Sequence, residues 1–213
     1  MQQAHLFRRS RMAQRGNLIV GLTGGMGCGK STAAALFAEF GFRRLDADRT
    51  VHEVLLPSAE VAQAIREKFG PDVLNAAGAI DRAKLGMAVF GDAAALAWLE
   101  DLLHPRLRAH WDGIYATAQD EKFIVEVPLL FEKRLENRFD FTVCVTTSSD
   151  LQLRRLEQRG VSPEIARQRL AKQLPLARKC ELADFVLIND GTLEFLREQV
   201  SELARRLSLI HSH

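Results

Sequence analysis

The stretch from Leu18 to Thr32, LIVGLTGGMGCGKST, limits the folds open to this chain more than any other feature. An apolar run rich in strand-forming residues stops at Gly24, a glycine-rich turn follows, and a helix-favouring run begins at Ser31. Gly24 to Ser31 match the pattern G-x-x-x-x-G-K-[ST], in which backbone N–H groups and a helix N-terminus surround a phosphate. A turn that binds nothing is the alternative, but the flanking strand and helix favour a nucleotide site.

Two side chains of this motif have a defined chemistry. We expect the Lys30 ammonium to reach the β- and γ-phosphates of a nucleoside triphosphate and the Ser31 hydroxyl to coordinate Mg²⁺. Lys30 is also a predicted catalytic residue, because a phosphoryl group in transfer needs its charge neutralised. The residues of this stretch predicted to bind the nucleotide are Gly24, Gly25, Gly27, Cys28, Gly29, Lys30, Ser31 and Thr32.

The composition limits the classes of partner. A net charge of +2 over 213 residues argues against a dedicated nucleic-acid surface, and 47% hydrophobic residues are ordinary for a globular chain. No apolar run approaches the ~20 residues that span a bilayer. Three cysteines without metal-ligand spacing fit a reducing compartment. We therefore expect a cytoplasmic monomer or weak homo-oligomer that acts on small molecules and binds neither nucleic acid nor membrane.

The ends of the chain differ in character from its middle. Residues 1–16 carry four arginines and no acidic residue, which suggests either a transit peptide or a disordered basic extension, and we adopt the second interpretation. We expect a single domain over residues 17–207 and a short tail over residues 208–213.

A second strand is predicted at Phe42–Leu45 and is followed by Asp46-Ala47-Asp48. Carboxylates at the carboxyl end of a parallel strand lie where open α/β sheets bind their ligands, so both aspartates are candidate site residues. Alternatively, one of them caps a helix that begins near Arg49, although capping does not explain both.

A helical pattern from about residue 50 to 118 interrupts the alternation of strands and helices. Breaks at Gly70-Pro71 and at residues 75–78 divide it into shorter helices. We interpret it as an insertion that forms one wall of a substrate cleft. Of its residues, His104 fits a structural role as easily as a functional one, whereas the Arg108 guanidinium suits phosphate oxygens.

An arginine-rich helical pair is predicted at about residues 150–180. Most of its charges fit a solvated helix face. Arg155 and Arg159 are four residues apart and precede Gly160, so we expect both on one face of a helix beside a hinge. That arrangement suits a lid that closes cations over a transferring phosphoryl group, and both arginines are predicted catalytic residues.

Three more strands are predicted, at residues 123–127, 141–146 and 183–191, the last ending in a turn. In the first of them, Glu126 is placed like the acid that assists Mg²⁺ in phosphate-loop proteins, with a solvent-facing strand residue as the alternative. The order of elements predicts a doubly wound α/β fold of the P-loop NTPase type, with a mainly parallel five-stranded sheet, a helical insertion and a helical lid.

The sequence resembles the dephospho-coenzyme A kinase family, P-loop kinases of the nucleoside-monophosphate-kinase type, over nearly all of residues 17–205. The resemblance is carried by LTGGMGCGKST, Asp46-Ala47-Asp48, His104-Pro105 with Arg108, VPLLFE at residues 127–132, Arg155-Leu156 with Arg159, Gln173, Ala183-Asp184 and Asn189-Asp190-Gly191.

The resemblance implies that ATP is the phosphoryl donor and that the acceptor is the ribose 3′-hydroxyl of dephospho-coenzyme A, in the last step of coenzyme A synthesis. It implies that Asp48 orients or deprotonates that hydroxyl and that Asn189 and Gly191 lie near the adenine. The residues it implies for the acceptor are Asp46, His104, Arg108, Leu129 and Leu130. Another small-molecule kinase of this architecture and a nucleotide-switch ATPase are the alternatives, and the choice between ATP and GTP stays open.

One residue departs from the family's pattern. Cys28 stands in the glycine-rich loop where the family commonly carries serine. A thiol near a helix N-terminus can have a lowered pKa and oxidise readily, but a small tolerated residue is the interpretation that we favour.

Overall fold

The computed structural model of the protein describes residues 16–211. Most of the predicted N-terminal extension, residues 1–15, and the last two residues of the predicted tail therefore lie outside the described residues. The described chain divides into two units. One runs up to Asp46 and resumes at Ala118, and the other comprises Ala47–Thr117, close to the predicted insertion.

Five strands form the sheet of the first unit, and every pair of neighbours is parallel. The strands are β1 (Leu18–Gly24), β2 (Phe42–Asp46), β3 (Lys122–Glu126), β4 (Phe141–Thr146) and β5 (Phe185–Ile188), in the spatial order β2-β3-β1-β4-β5. This order confirms the predicted doubly wound, parallel five-stranded α/β fold. Because the strands run in one direction, their carboxyl ends meet at one edge of the sheet, which is where such sheets bind ligands.

The α-helices of the described residues lie as follows. They are α1 (Lys30–Glu39), α2 (Ala47–Thr50), α3 (Ala59–Phe69), α4 (Arg82–Val89), α5 (Ala93–Thr117), α6 (Ser149–Glu157), α7 (Pro163–Ala171), α8 (Leu176–Leu182) and α9 (Leu193–His211). A π-helical turn, Val51–Leu55, continues α2, and short 3₁₀ turns occur at Pro71–Val73 and Glu136–Arg138. Helix α9 extends four residues beyond residue 207, where the sequence predicted the domain to end.

Strand β1 lies at the centre of the sheet, and all seven of its residues are buried. A strand covered on both faces needs apolar residues on both, which explains its uninterrupted apolar run. Helices α1 and α9 cover one face: Phe37 of α1 and Leu196 of α9 are fully buried in the same cluster as Val20. Each such side chain contributes about 1.5–3 kcal/mol through removal of its apolar surface from water. The central position of β1 therefore holds the start of the glycine-rich loop rigidly.

Residues 47–117 form a helical unit with its own apolar contacts. Helix α5 buries five side chains at intervals of four residues: Ala95, Leu99, Leu103, Leu107 and Trp111. Polar residues begin the shorter helices: the Ser58 hydroxyl caps α3, and the Asp81 carboxylate caps α4 by accepting from two backbone amides. Local signals therefore suffice to explain where these helices start.

Within residues 16–211, none of the helices is long and apolar enough to cross a membrane.

Close packing around Gly21 of β1 leaves no room for a side chain. A Cβ atom at this position would lie 2.7 Å from the ring of Phe139 and 2.8 Å from the Leu130 side chain, both of which are buried. We expect Gly21→Ala to lower the free energy of unfolding by about 1–3 kcal/mol, because an overpacked core must shift to admit the methyl group. Urea denaturation followed by circular dichroism measures this change.

Gly113→Ala is the matched control for this substitution. Gly113 lies inside α5, and a Cβ atom there meets nothing within 4 Å. Alanine should raise stability at that position by about 0.5–1 kcal/mol through helix propensity. Equal stability of Gly21→Ala and the wild type would contradict the packing argument.

Candidate active site

The glycine-rich loop between β1 and α1, Gly24 to Ser31, is termed the phosphate loop below. Gly24 and Gly29 adopt positive φ values of 144° and 90°, which L-residues with side chains rarely take. A Cβ atom on Gly24 would lie 2.3 Å from the carbonyl oxygen of Val145, and one on Gly29 would lie 2.2 Å from the Asn189 amide nitrogen. Both glycines are therefore required by conformation and by space.

Side chains from elsewhere in the first unit hold the carbonyl groups of the phosphate loop. The Gln152 amide donates to the Met26 carbonyl oxygen at 2.9 Å, and the Asn189 amide donates to that of Cys28 at 2.8 Å. Gly29 is the N-cap of α1 and has no side chain to occupy the first-turn amides. Those amides and the positive end of the helix dipole form a site suited to an anion.

The Lys30 side chain folds back over the phosphate loop. Its ammonium donates to the carbonyl oxygens of Gly24 at 3.2 Å and Gly25 at 2.9 Å. A fixed positive charge therefore lies beside the helix N-terminus, and the two together favour a polyanion such as a triphosphate.

A carboxylate at the end of β3 joins three elements at this edge of the sheet. Glu126 accepts a hydrogen bond from the Ser31 hydroxyl at 3.0 Å through Oε2, and Arg44 donates to Oε1 at 2.6 Å. The same guanidinium lies 3.6 Å from the Asp46 carboxylate. These oxygens are the hard ligands that Mg²⁺ prefers.

Glu126 is only 4% exposed, so the alternative of a solvent-facing residue is wrong. Burial raises the pKa of this carboxyl above its usual value; the Arg44 guanidinium opposes the shift and the Asp46 carboxylate adds to it. Among residues 16–211, no group of three or more His, Cys, Asp or Glu residues has the arrangement of a metal cluster. A Mg²⁺ ion needs none, since it commonly uses one or two protein ligands, water and phosphate oxygens.

The turn after β5 lies against the phosphate loop. Arg155 of α6 donates to the Asn189 carbonyl oxygen at 3.1 Å, while its buried Nη1 has no hydrogen-bond partner among the described residues. Asp190 accepts from the Thr147 hydroxyl at 2.6 Å and from the Ser148 amide at 2.7 Å, and these bonds lower the pKa of Asp190. The turn that continues to Gly191 is thus anchored to the end of β4.

Two predictions require correction. Helix α6 ends at Glu157, and the Arg159 amide bonds back to Leu156 in a turn, so Arg159 does not share a helical face with Arg155. Leu130, implied as an acceptor contact, is fully buried beneath β1. Of that leucine pair only Leu129 keeps exposed surface.

The Cys28 side chain is fully buried, and burial raises the pKa of its thiol although the Lys30 charge opposes this. A protonated, shielded thiol reacts poorly with oxidants, so a readily oxidised Cys28 is not supported. The contribution of Cys28 to the loop is its carbonyl group, which binds Asn189.

The remaining candidates lie in the unit of residues 47–117. Asp48 is exposed in the short helix α2. His104 and Arg108 are half-buried on α5, one helical turn apart and therefore on the same face. Their predicted roles stay predictions.

Sequence reasoning missed several residues that build the site. Arg44 is two positions before Asp46 on β2, so the alternation of a strand places both on one side. Gln152 precedes Arg155 by one helical turn, which predicts a shared direction. The hydrogen bonds from Thr147 to Asn189 and Asp190 have no comparable signal in the sequence, since 42 and 43 residues separate the partners.

The parallel sheet, with a phosphate loop between its central strand and the next helix, defines a P-loop kinase fold. The family model for dephospho-CoA kinase (CoaE) matches residues 18–194. The chain therefore belongs to the dephospho-CoA kinase family.

Individual proteins show the same relationship. A dephospho-CoA kinase of Rhodopseudomonas palustris (strain BisB18) is 43% identical over 189 residues, covering 87% of this chain and 93% of the relative. The crystal structure of TT1252 from Thermus thermophilus superposes with a TM-score of 0.79 at 32% identity, covering 90% of this chain and 98% of that one. For the dephospho-CoA kinase from Campylobacter jejuni the TM-score is 0.62 at 27% identity, with 90% and 97% covered.

Burial of Glu126 has a consequence for stability against pH. The carboxyl has a higher pKa in the folded chain than its ordinary value of 4.5, so the unfolded chain loses this proton first as pH rises. The contribution of Glu126 to stability is therefore largest below about pH 4.5 and declines as pH rises to the folded pKa. Glu126→Gln lacks this titration.

We expect the free energy of unfolding of Glu126→Gln, relative to that of the wild type, to increase as the pH rises from about 4.5 to the pKa of Glu126 in the folded chain. Urea denaturation at half-unit steps from pH 4 to pH 8 measures it. A relative stability that falls with rising pH would show that the Arg44 ion pair, rather than burial, dominates the pKa of Glu126.

Proposed function

We propose that this chain transfers the γ-phosphoryl group of ATP to the ribose 3′-hydroxyl of dephospho-coenzyme A, yielding coenzyme A and ADP in the final step of coenzyme A synthesis. The observation that carries the proposal is the contact of Ser31 with Glu126 beside the phosphate loop, within a chain of this family. It places a hydroxyl, a carboxylate and a fixed cation at the edge of the sheet where a triphosphate would bind. Phosphoryl transfer depends on such positioning and charge neutralisation.

The ATP side of the site uses the phosphate loop and the turn after β5. The loop amides and Lys30 hold the phosphates, and charge-assisted hydrogen bonds from them stabilise the negative charge of the transferring group. Arg155 lies against Asn189 with one nitrogen unpartnered among the described residues, which suits a further phosphate contact. Arg159, in the exposed turn after α6, can reach the phosphates only if that turn moves toward the loop, as in a closing lid.

We assign Mg²⁺ to Ser31, with Glu126 next to it and Asp46 connected through Arg44. An Mg²⁺ ion would be held there by the Ser31 hydroxyl and would supply positive charge to offset that of the phosphates. Glu126 also has a structural role: it orients the Ser31 hydroxyl by accepting a hydrogen bond from it.

For the acceptor we assign a role to each residue separately. Asp48 orients the ribose hydroxyl and takes its proton, and Asp46 binds the acceptor. His104 and Arg108, on one face of α5, bind the charged part of the acceptor, and Leu129 contributes apolar surface.

Three free cysteines, two of them fully shielded, support a reducing compartment such as the cytoplasm.

One coupled assay tests the reaction and the role of Lys30 together. We expect ADP release by the wild type to depend on dephospho-coenzyme A, and basal ATP hydrolysis unaffected by that compound would refute the kinase assignment. Lys30→Met should weaken ATP binding by about 10- to 150-fold, the equivalent of one lost hydrogen bond to a charged group. Lys68→Met, at an exposed lysine of α3, is the control and should bind ATP normally.

The assignment of Asp48 is tested separately by Asp48→Asn. The variant should bind ATP as the wild type does but turn over about 10²–10⁴-fold more slowly, because the amide cannot accept the hydroxyl proton. Asp72→Asn, at an exposed aspartate of the same unit, provides the matched control. Near-full activity of Asp48→Asn, measured as initial rates at saturating ATP, would show that another group is the base.

A further inference from the structure

Helix α8 carries a lysine with no exposure to solvent. The ammonium of Lys179 lies 2.8 Å from Oε1 of Glu132 and donates to the carbonyl oxygen of Pro128 at 2.9 Å. A fully buried lysine is rare unless its charge is compensated, and here a carboxylate and a carbonyl oxygen compensate it.

The contacts of Lys179 join three separate segments. The Pro128 carbonyl oxygen also accepts from the hydroxyl of Thr23, the residue immediately before the phosphate loop, at 3.2 Å. Oε1 of Glu132 also accepts from the backbone amide of Leu174, before α8, at 2.9 Å. We call these five residues the Lys179 junction. It connects the end of β1, the loop after β3 and the segment that enters α8.

Stability does not explain this junction well. Two charges removed from water gain little net free energy from their attraction. Apolar residues of similar size in the same place often stabilise the fold equally well or better. Oε2 of Glu132 is buried and has no hydrogen-bond partner among the described residues, which adds a desolvation cost. An ion pair that stabilises the fold weakly but fixes the distance between two loops is better suited to positioning.

We propose that Lys179 is a positioning residue for phosphoryl transfer: it holds the loop of residues 128–132 at a set distance from the phosphate loop, so that an acceptor bound on that loop meets the γ-phosphate in line. The inference rests on the proposed function, in which Leu129 of this loop contacts the acceptor. It adds a residue that touches neither substrate and acts through the Pro128 carbonyl group.

The position of the loop of residues 128–132 affects catalysis more than ATP binding. The phosphate loop has its own supports in Gln152 and Asn189, which are not part of the junction. Loss of Lys179 should therefore leave the ATP site intact while the acceptor moves relative to the phosphate. A misplacement of about 1 Å costs on the order of 10²-fold in rate.

The experiment compares Lys179→Met with the double variant Lys179→Met/Glu132→Leu. The single variant leaves Glu132 buried without its cation and should lose stability, whereas the double variant removes both charges and should regain most of it. We expect both variants to bind ATP within about twofold of the wild type. With dephospho-coenzyme A both should show a kcat reduced about 10²-fold and a raised KM for the acceptor.

The double variant decides between positioning and support of the fold. If it regains wild-type kcat and acceptor KM together with its stability, the junction is merely structural and the inference is overturned. A rise in the ATP Kd that matches the fall in kcat would overturn it too. Arg178→Met is the control: Arg178 is the neighbouring, exposed residue, pairs with Glu181 at 2.5 Å, and should leave all four measurements unchanged.

The wild type in the same assay separates the two proposals. A wild type that releases no ADP in response to dephospho-coenzyme A refutes the proposed function and the inference with it. An active wild type with a fully active double variant refutes only the role of Lys179.

Discussion

The carboxylate of Glu126 joins the ends of the central strands, and the arrangement of the site depends on it. Strand β3 lies between β1 and β2, so Glu126 pairs with Leu22 on one side and with Asp46 on the other. Ser31 and Arg44 each take one of its oxygens. Because the group is almost fully shielded from water, these bonds meet little competition from solvent. The first turn of α1 is thereby tied to the sheet.

Buried charge recurs where loops leave the carboxyl edge of the sheet. Glu126 supports the phosphate loop, and the pair of Lys179 and Glu132 supports the loop after β3. In both places polar groups are oriented in advance by the protein. Groups placed in advance need no reorganisation when charge develops during a reaction, which is the main way in which phosphoryl transfer is accelerated. The weak stabilising effect of buried charges is therefore compatible with their presence here.

Much of the fold could be predicted because its signals are local. Strand β4 has the predicted bounds, since a strand buried on both faces carries a nearly continuous run of apolar residues. Arg159 shows where local reasoning failed: helical spacing predicted a continuous helix up to Gly160, but the backbone turns after Glu157. Leu130 shows the same limit, because an apolar residue suits a ligand surface and a core equally well, and only packing against β1 distinguishes them.

By itself the sequence determined the phosphate loop, its flanking strand and helix, the order of the elements and the family, because each depends on residues close together along the chain. Only the tertiary structure decided which distant groups complete the site. The amides of Gln152 and Asn189 bind loop carbonyls 126 and 161 residues away, and Glu126 reaches Ser31 across 95 residues. Strand order and register create these contacts, and no local pattern encodes partners separated by several strands.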